Sequence, residues 1–279
     1  MISFFPSDAI LLRLHGGLGN QLFQLGAAIV IAKKFKAKSI LIDTSSLDKY
    51  KTKREFELSK VVNFEKSEFV IQLKNHPILR LRLPKFIPFS NNVFSLVSDH
   101  NFENLVSNNV KSSVILDGYF QNIAQNSFDS IINEVRALCS IDYFSDDSSS
   151  CVIHIRGGDF IDDGKANLAP DHYYQRAIEY MNQKFKIDRW LVVTDDITFA
   201  KKIMNSYKYS MEFLSRGLLE DFVTIASCSK RILSASTFAI WASAIGHNSK
   251  DGAVILPDYL TSDLKKNFRL MNEVKLQFP

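Results

Sequence analysis

The sequence predicts an α/β protein composed of two Rossmann-like halves that face each other across a cleft. Strands and helices alternate along both halves of the chain, which is the pattern of parallel sheets covered by helices. Each half also contains a strand that runs into glycines, at residues 9–19 and at residues 151–158. A chain of 279 residues is long enough to form two such domains.

The domain boundary is expected at Asp146–Ser150, a polar run of small residues with the composition of a linker. The N-terminal Rossmann-like domain then covers residues 1–146 and the C-terminal one covers residues 150–258. Residues 259–279 remain as a tail, which we expect to be helical.

In the N-terminal half, the apolar runs around the glycines predict a parallel β-α-β unit. Residues 46–112 have weak periodicity, so we predict only short helices and loops there. The predicted elements of this half are strands at 9–14, 39–43 and 114–121 and helices at 22–32 and 123–138. Those of the C-terminal half are strands at 151–156, 190–194, 212–214, 231–233 and 254–257 and helices at 170–186, 197–205, 219–229 and 238–245.

The strand at 151–156 carries the strongest candidate site residues, His154 and Arg156. Residues two apart in a strand project to the same side, and Gly157-Gly158 lets a ligand approach the backbone closely. A guanidinium fork suits phosphate oxygens, and a histidine offers a hydrogen bond or proton transfer. From spacing alone, a phosphate site and a structural ion pair at Arg156 both remain open.

Two further junctions in the C-terminal half carry polar residues at the start of a helix. Ser236 and Thr237 join a strand to a helix, where they would hold a phosphate or simply cap the helix. Asp221 opens another helix, and a surface acid favoured by the helix dipole is its alternative interpretation.

Composition excludes several classes of protein. The net charge of +4 is too small to argue for nucleic acid, and there is no apolar stretch of membrane-spanning length. Cys139, Cys151 and Cys228 have no metal-site or disulfide spacing, and Asp195-Asp196 is interpreted as a turn, so no metal is expected. We expect a cytoplasmic protein. The basic and apolar run at 74–85 allows peripheral contact with the inner face of a membrane, although a solvated face is favoured.

A dinucleotide oxidoreductase is one alternative function. Gly17 and Gly19 fit the first half of the G-x-G-x-x-G fingerprint, and Asp43 lies near its acidic position. The sixth position is Leu22 rather than glycine, which disfavours this alternative. A nucleotide- or glycan-binding protein without catalysis is another.

Five segments together resemble glycosyltransferase family 11, the bacterial α-1,2-fucosyltransferases. They are G-G-L-G-N-Q-L-F-Q at 16–24, D-G-Y-F-Q-N at 117–122, H-I-R-G-G-D-F at 154–160, V-T-D-D at 193–196, and E-D-F through S-T-F at 220–238. The resemblance implies a GT-B-like fold and metal-independent, inverting transfer of L-fucose from GDP-fucose to the 2-hydroxyl of a terminal galactose-type residue, with no cofactor. The acceptor would be a surface glycan of the O-antigen or lipopolysaccharide type, and a fucosyl transfer of another linkage is the alternative.

The resemblance also implies roles for individual residues. The C-terminal half would hold GDP-fucose and the N-terminal half the acceptor. Arg156 would contact the β-phosphate, His154 with Asp221 the guanosine, and Ser236 with Thr237 the diphosphate. Gly17, Gly19 and Asn20 would form a loop near the phosphate and the transferred sugar. Many relatives carry a second arginine where this chain has Gly157, and commonly Asn where it has Ala235.

The acceptor hydroxyl must lose its proton during transfer. Asp159 is the predicted catalytic base, with Asp162 or Asp163 as substitutes. A short acid after two glycines also caps turns, so a purely local role for Asp159 remains open.

Overall fold

The computed structural model describes residues 8–49, 54–73, 94–107, 113–139, 147–158, 172–261 and 264–276. The chain divides into two compact units, Met1–Ser140 and Ile141–Pro279. We refer to them as the N-terminal and C-terminal units and describe each by itself.

The N-terminal unit is built on a sheet of five parallel strands in the order β3-β2-β1-β5-β4. The central strand β1 has an almost fully buried apolar sequence, as expected for a strand covered on both faces. The order reverses beside β1, so the carboxyl ends of β1 and β5 form a topological switch point. The strands are β1 (Ala9–Arg13), β2 (Ser39–Asp43), β3 (Val70–Leu73), β4 (Phe94–Val97) and β5 (Ser113–Leu116).

The long helix α1 (Leu18–Phe35) of the N-terminal unit is buried along most of its length, which agrees with its apolar sequence. It packs closely on a later helix at Gly26, where a Cβ would lie 2.4 Å from Ile131 Cγ2. The other helices are α2 (Phe102–Ser107) and α3 (Gln125–Leu138), with single 3₁₀ turns at Leu47–Lys49, Leu58–Lys60 and Phe64–Lys66.

The C-terminal unit repeats this design with five parallel strands in the order β10-β9-β6-β7-β8. Its switch point lies between β6 and β9, because the chain adds strands on one side of β6 and then on the other. The strands are β6 (Asp147–Ile155), β7 (Arg189–Thr194), β8 (Met211–Leu214), β9 (Cys228–Ile232) and β10 (Ala253–Ile255). The helices are α4 (Tyr173–Lys184), α5 (Ile197–Met204), α6 (Leu218–Ser227) and α7 (Thr237–Ile245).

A fully buried arginine, Arg231 on β9, joins the ends of two helices in this unit. Its guanidinium donates to the carbonyl oxygens of Ile225 at 2.9 Å and Ala226 at 2.8 Å, near the end of α6. It also donates to the Ser243 carbonyl at 3.4 Å and the His247 carbonyl at 2.5 Å, close to the end of α7. Since carbonyl groups at helix ends carry partial negative charge, they stabilise the buried cation.

Two expectations about the boundaries of the C-terminal unit are wrong. Asp147–Ser150 begins β6 instead of serving as a linker, because Asp147 Oδ1 accepts from the Ser150 amide at 3.1 Å and β6 pairs with both β7 and β9. The described part of the tail contains no helix. It forms a short antiparallel pair, β11 (Tyr259–Thr261) with β12 (Leu264–Lys265), and then runs beside β10.

A buried ion pair fixes this tail. Lys266 Nζ lies 2.7 Å from both carboxylate oxygens of Glu273, and both side chains are almost inaccessible to solvent. The Val254 amide of β10 donates to the Asn272 carbonyl at 3.0 Å. These contacts need extended chain next to β10, which excludes a helix at these positions.

Candidate active site

The carboxyl ends of β6, β7 and β9 bring together most of the predicted site residues of the C-terminal unit. His154 and Arg156 lie at the end of β6, the central strand of the sheet. Ser236 and Thr237 follow β9, and Asp195 follows β7. In open parallel sheets, ligands bind at this edge and at this switch point.

His154 is held inside the C-terminal unit rather than at its surface. Its side chain is only 4% exposed, its Nδ1 lies 2.8 Å from Ser234 Oγ, and its carbonyl accepts from the Tyr174 hydroxyl at 3.3 Å. Burial, together with the positive charge of Arg156, lowers its pKa from 6.5 to about 3. At neutral pH the ring is therefore uncharged, and of the two roles that the sequence allows it retains hydrogen bonding, not proton transfer.

Arg156 lies at the rim of the sheet with about a quarter of its side chain exposed. Its Nη1 is 2.7 Å from Asp195 Oδ2, and Asp195 Oδ1 accepts from the Gly157 amide at 2.7 Å. One carboxylate therefore fixes both the guanidinium and the turn that follows it. The structural ion pair is present, and it orients the cation at the carboxyl edge of the sheet.

The two glycines after Arg156 occupy positions where a side chain would not fit. A Cβ at Gly157 would lie 2.8 Å from Asp196 Cβ and 3.1 Å from Phe199 Cδ1. Gly158 has a positive φ of +46°, and a Cβ there would lie 2.8 Å from Asp195 Oδ2. An arginine side chain therefore has no room at Gly157 in this packing.

The start of α7 presents hydroxyl groups at the same edge. Ser236 is the N-cap residue, but its side chain makes no capping hydrogen bond to the helix, so capping does not account for its hydroxyl. Its amide donates to the Ser234 carbonyl at 2.7 Å, which tightens the turn between β9 and α7. Thr237 is the first residue of the helix.

Asp221 lies in the first turn of α6, a helix that packs against β6, β7, β9 and α7. Burial raises its pKa, although Asp221 Oδ1 accepts from the Arg216 amide at 3.2 Å. The next residue, Phe222, packs edge-on against Phe238 with ring centroids 5.3 Å apart, and Phe238 lies 6.0 Å from the His154 ring. These aromatic contacts join the E-D-F and S-T-F segments to β6.

The switch point of the N-terminal unit carries a second polar cluster. Asp117, which follows β5, accepts from Arg13 Nη1 at 2.6 Å and lies 2.7 Å from His15 Nε2. Burial would raise the pKa of Asp117, but the hydrogen bond from His15 and the charge of Arg13 outweigh it and lower the pKa. Arg13 Nε in turn lies 3.4 Å from Asp43.

Asp43 does not have the role of a ribose-binding acid. It is fully buried, and its two oxygens accept from the amide and the hydroxyl of Ser45, both at 3.0 Å. These contacts, with the ion pair to Arg13, give Asp43 a structural role. The dinucleotide fingerprint is therefore not supported at its acidic position.

The predicted glycine loop is shorter than the sequence suggested. Helix α1 begins at Leu18 instead of Leu22, so Gly19 and Asn20 lie in its first turn, and of these three predicted loop residues only Gly17 precedes the helix. The reason is that Glu57 supplies the missing cap by accepting from the Leu18 amide at 2.6 Å. Asn20 Oδ1 accepts from Gln121 Nε2 at 2.8 Å, and this contact connects two of the segments quoted from the sequence.

Two glutamines of the same segment hold the turn before α1. Gln21 Nε2 donates to the Gly16 carbonyl at 2.9 Å, and its Oε1 accepts from the Glu57 amide at 2.9 Å. Gln24 pairs with both backbone groups of His15, at 2.9 and 3.2 Å. The two glutamines thus have structural roles in shaping the loop.

Sequence reasoning missed several residues of these clusters. Asp195 was interpreted only as a turn, and His15, Asp117 and Ser234 were not singled out as site residues. Each lies within three residues of the carboxyl end of a strand, and this position is the signal that could have found them. Asp159, Asp162 and Asp163, the predicted base and its substitutes, lie outside the described residues.

Comparison with known proteins identifies the family. A family model described as glycosyl transferase family 11 matches residues 9–267. The chain belongs to this family. It is therefore a glycosyltransferase, and the five segments quoted from the sequence all lie within the matched residues.

Two curated relatives, both from Escherichia coli, align over most of their length. The chain is 26% identical to the O-antigen biosynthesis glycosyltransferase WbnK, covering 88% of this chain and 92% of that protein. It is 25% identical to an alpha-1,2-colitosyltransferase, and the alignment covers 83% of this chain and 86% of that protein.

Several solved structures have a similar fold, and the fucosyltransferase NodZ is among them. NodZ from Bradyrhizobium superposes with a TM-score of 0.54 at 11% identity, covering 87% of this chain and 94% of that one. A variant of Arabidopsis thaliana FUT1 in complex with GDP superposes with a TM-score of 0.51 at 12% identity. The superposition covers 96% of this chain and 76% of that one. The expected GT-B-like α/β class with two Rossmann-like halves is confirmed.

Two further findings concern metals and membranes. Among the described residues, His, Cys, Asp and Glu side chains form no group of three or more that could hold a metal ion. In the same part of the chain, no helix has both the length and the apolar character required to cross a bilayer.

Proposed function

We propose that this protein transfers L-fucose from GDP-fucose to the 2-hydroxyl of a terminal galactose-type residue, with inversion at the anomeric carbon. The acceptor would belong to a surface glycan of the O-antigen or lipopolysaccharide type. Binding of the GDP-fucose donor is supported most directly by two groups that lie close together at the edge of the C-terminal sheet. There Arg156, fixed by Asp195, shares a switch point with the hydroxyl-rich start of α7.

The chemistry of this edge suits a nucleoside diphosphate. The guanidinium would bind the β-phosphate, and the hydroxyls of Ser236 and Thr237 at the N-terminus of α7 would bind the diphosphate. His154 and Asp221 would contact the guanosine. His154 is uncharged at neutral pH, so it would contribute hydrogen bonding to the nucleotide without adding charge.

The reaction we propose is a direct displacement. The acceptor oxygen attacks the anomeric carbon while the bond from that carbon to the β-phosphate oxygen breaks, and GDP departs with the electron pair. Negative charge develops on the phosphate, where the Arg156 cation and the α7 N-terminus stabilise it. These groups supply the positive potential, so we expect activity to persist in the presence of EDTA.

The donor sugar and the linkage are the parts that require direct measurement. One curated relative is named as a colitosyltransferase, so a colitosyl donor should be assayed beside GDP-fucose. The same relative is named for an α-1,2 linkage, which supports the 2-hydroxyl as the acceptor position. Product linkage analysis separates this proposal from a fucosyl transfer of another linkage.

The test is an assay of GDP release and product formation with GDP-fucose and a panel of galactosides such as lactose. Arg156→Ala should lower kcat/KM by roughly 10²–10³-fold, the effect of removing one preorganised donor. Arg189→Ala is the matched control, because Arg189 is an exposed arginine of the same unit that pairs only at the surface.

Three results would contradict the proposal. Full activity of Arg156→Ala would show that Arg156 does not stabilise the departing GDP. Binding of GDP without any release of GDP from GDP-fucose would favour a non-catalytic binding protein, and selective binding of a nicotinamide dinucleotide would favour an oxidoreductase.

A further inference from the structure

A histidine–aspartate pair lies at the switch point of the N-terminal sheet, and nothing in the donor chemistry uses it. His15 follows β1 and Asp117 follows β5, so the two residues come from adjacent parallel strands at their carboxyl ends. The 2.7 Å contact joins His15 Nε2 to Asp117 Oδ1. Because the pKa of Asp117 is lowered, it remains a carboxylate and accepts a hydrogen bond from the Nε2–H group of His15.

This contact determines which nitrogen of His15 carries the proton. With Nε2–H donating to the carboxylate, the neutral ring has its basic lone pair on Nδ1. The other carboxylate oxygen is bound by Arg13 at 2.6 Å, so Asp117 cannot turn away without breaking an ion pair. A carboxylate held in this way both orients an imidazole and stabilises the imidazolium that forms on protonation.

The position of His15 is fixed from every side that the structure describes. Gln24 on α1 pairs with its backbone amide and carbonyl, at 2.9 and 3.2 Å. Its ring centroid lies 5.7 Å from that of Tyr119, whose side chain is partly exposed. The following Gly16 has a φ of +70°, so the chain turns sharply immediately after the histidine. Such over-determined placement is typical of a preorganised functional group.

We propose that His15 is the general base that deprotonates the acceptor hydroxyl, with Asp117 as its positioning residue. This inference rests on the proposed function. As the acceptor oxygen bonds to the anomeric carbon, its proton moves to His15 Nδ1, and the leaving GDP takes the electron pair of the broken glycosyl bond. The imidazolium, paired with Asp117, then releases the proton to solvent.

The other described candidates for this role are less suitable. His154 is buried and has its pKa lowered to about 3, so it is too weak a base at neutral pH. Asp195 is engaged by Arg156 and by the Gly157 amide. Asp159, the base that the sequence predicted, provides the competing outcome of the test.

The primary experiment compares His15→Gln with the wild type, using a galactoside that the wild type fucosylates. Glutamine retains an amide donor for Asp117 but cannot accept a proton. We expect kcat for transfer to fall by about 10²–10⁴-fold, the usual contribution of general base catalysis, while the Kd for GDP changes less than twofold. His100→Gln, at an exposed histidine of the same unit, should retain wild-type kcat.

Two further measurements separate catalysis from a structural effect. Added imidazole should restore part of the activity of His15→Ala, which a merely structural role would not allow. The acid limb of the pH profile of kcat should disappear in His15→Gln, because glutamine cannot take up a proton. The charged groups that set this limb come from three elements, namely Arg13 of β1, Asp43 of β2 and Asp117 after β5.

Each outcome supports or overturns the proposal. A kcat within threefold of the wild type in His15→Gln would overturn it, as would loss of transfer and of the acid limb in Asp159→Asn alone. Weakened GDP binding in His15→Gln, in proportion to the loss of kcat, would make the residue structural and also overturn it. A wild type that releases no GDP from GDP-fucose would instead refute the proposed function, which is a separate result.

Discussion

The buried histidine near the end of β6 should make the C-terminal unit unusually sensitive to acid. His154 has a pKa of about 3 in the folded protein and an ordinary value of 6.5 when the chain is unfolded. Below pH 6.5 the unfolded chain therefore takes up a proton that the folded chain refuses. Acid thus favours unfolding, and the stability contributed by this group falls as the pH decreases from 6.5 towards 3.

The size of the effect follows from these two values. At pH 7 the unfolded histidine is mostly neutral, so its proton uptake lowers the free energy of unfolding by only about 0.2 kcal/mol. At pH 5 it is almost fully protonated, and the cost rises to about 2 kcal/mol. The wild type should therefore lose about 2 kcal/mol between pH 7 and pH 5 from this residue alone.

Urea unfolding followed by tryptophan fluorescence measures this loss in the relevant unit, because Trp190 and Trp241 both lie there and are buried. His154→Asn keeps a polar group near Ser234 and removes the titration, so its stability should fall about 2 kcal/mol less than that of the wild type over the same pH range. His172→Asn is the matched control at an exposed histidine with a φ of +65°, which asparagine tolerates. Equal pH dependence in the wild type and His154→Asn would refute the reasoning.

Three substitutions test the contacts around this site. Arg231→Met should cost at least ~3 kcal/mol of unfolding free energy, since it leaves buried carbonyl groups without a donor; a loss below ~1 kcal/mol in urea unfolding would contradict the contacts described. Asp195→Asn removes only a partly exposed ion pair, so stability should change by less than ~1 kcal/mol, whereas kcat/KM should fall by roughly tenfold as Arg156 loses its orientation. Unchanged kcat/KM would show that the ion pair does not position the cation. Gly157→Arg should destabilise the C-terminal unit by about 1–3 kcal/mol through the clash with Asp196, a loss visible as a lower Tm.

The central strands and long helices could be predicted from the sequence because their signals are local. The runs at 9–13 and 189–194 are mostly apolar and buried, and helices α3 and α5 have regular apolar spacing. The edge strand Val70–Leu73 was not predicted, because most of its side chains are exposed and it is held mainly by backbone pairing to β2. Such pairing leaves little pattern in a sequence.

At the polar start of β6, a local sequence pattern was present but misleading. Asp147–Ser150 has the composition of a linker, but the chain extends there because β6 lies between two neighbouring strands. In the same way, the start of α1 depends on Glu57, which is 39 positions from Leu18 in the sequence. Tertiary contacts override local preference at both places.

The two site histidines show why residue type alone could not assign their chemistry. Both lie near the carboxyl end of the first strand of a parallel sheet, at its switch point. His154 lies within its strand, among buried side chains and beside a cation, and this environment excludes the charged form. His15 lies two residues beyond its strand, where a carboxylate faces the ring and would stabilise an added proton. A shift of three positions relative to the strand end thus separates a neutral hydrogen-bonding group from a candidate base, and only the packing of the folded chain reveals it.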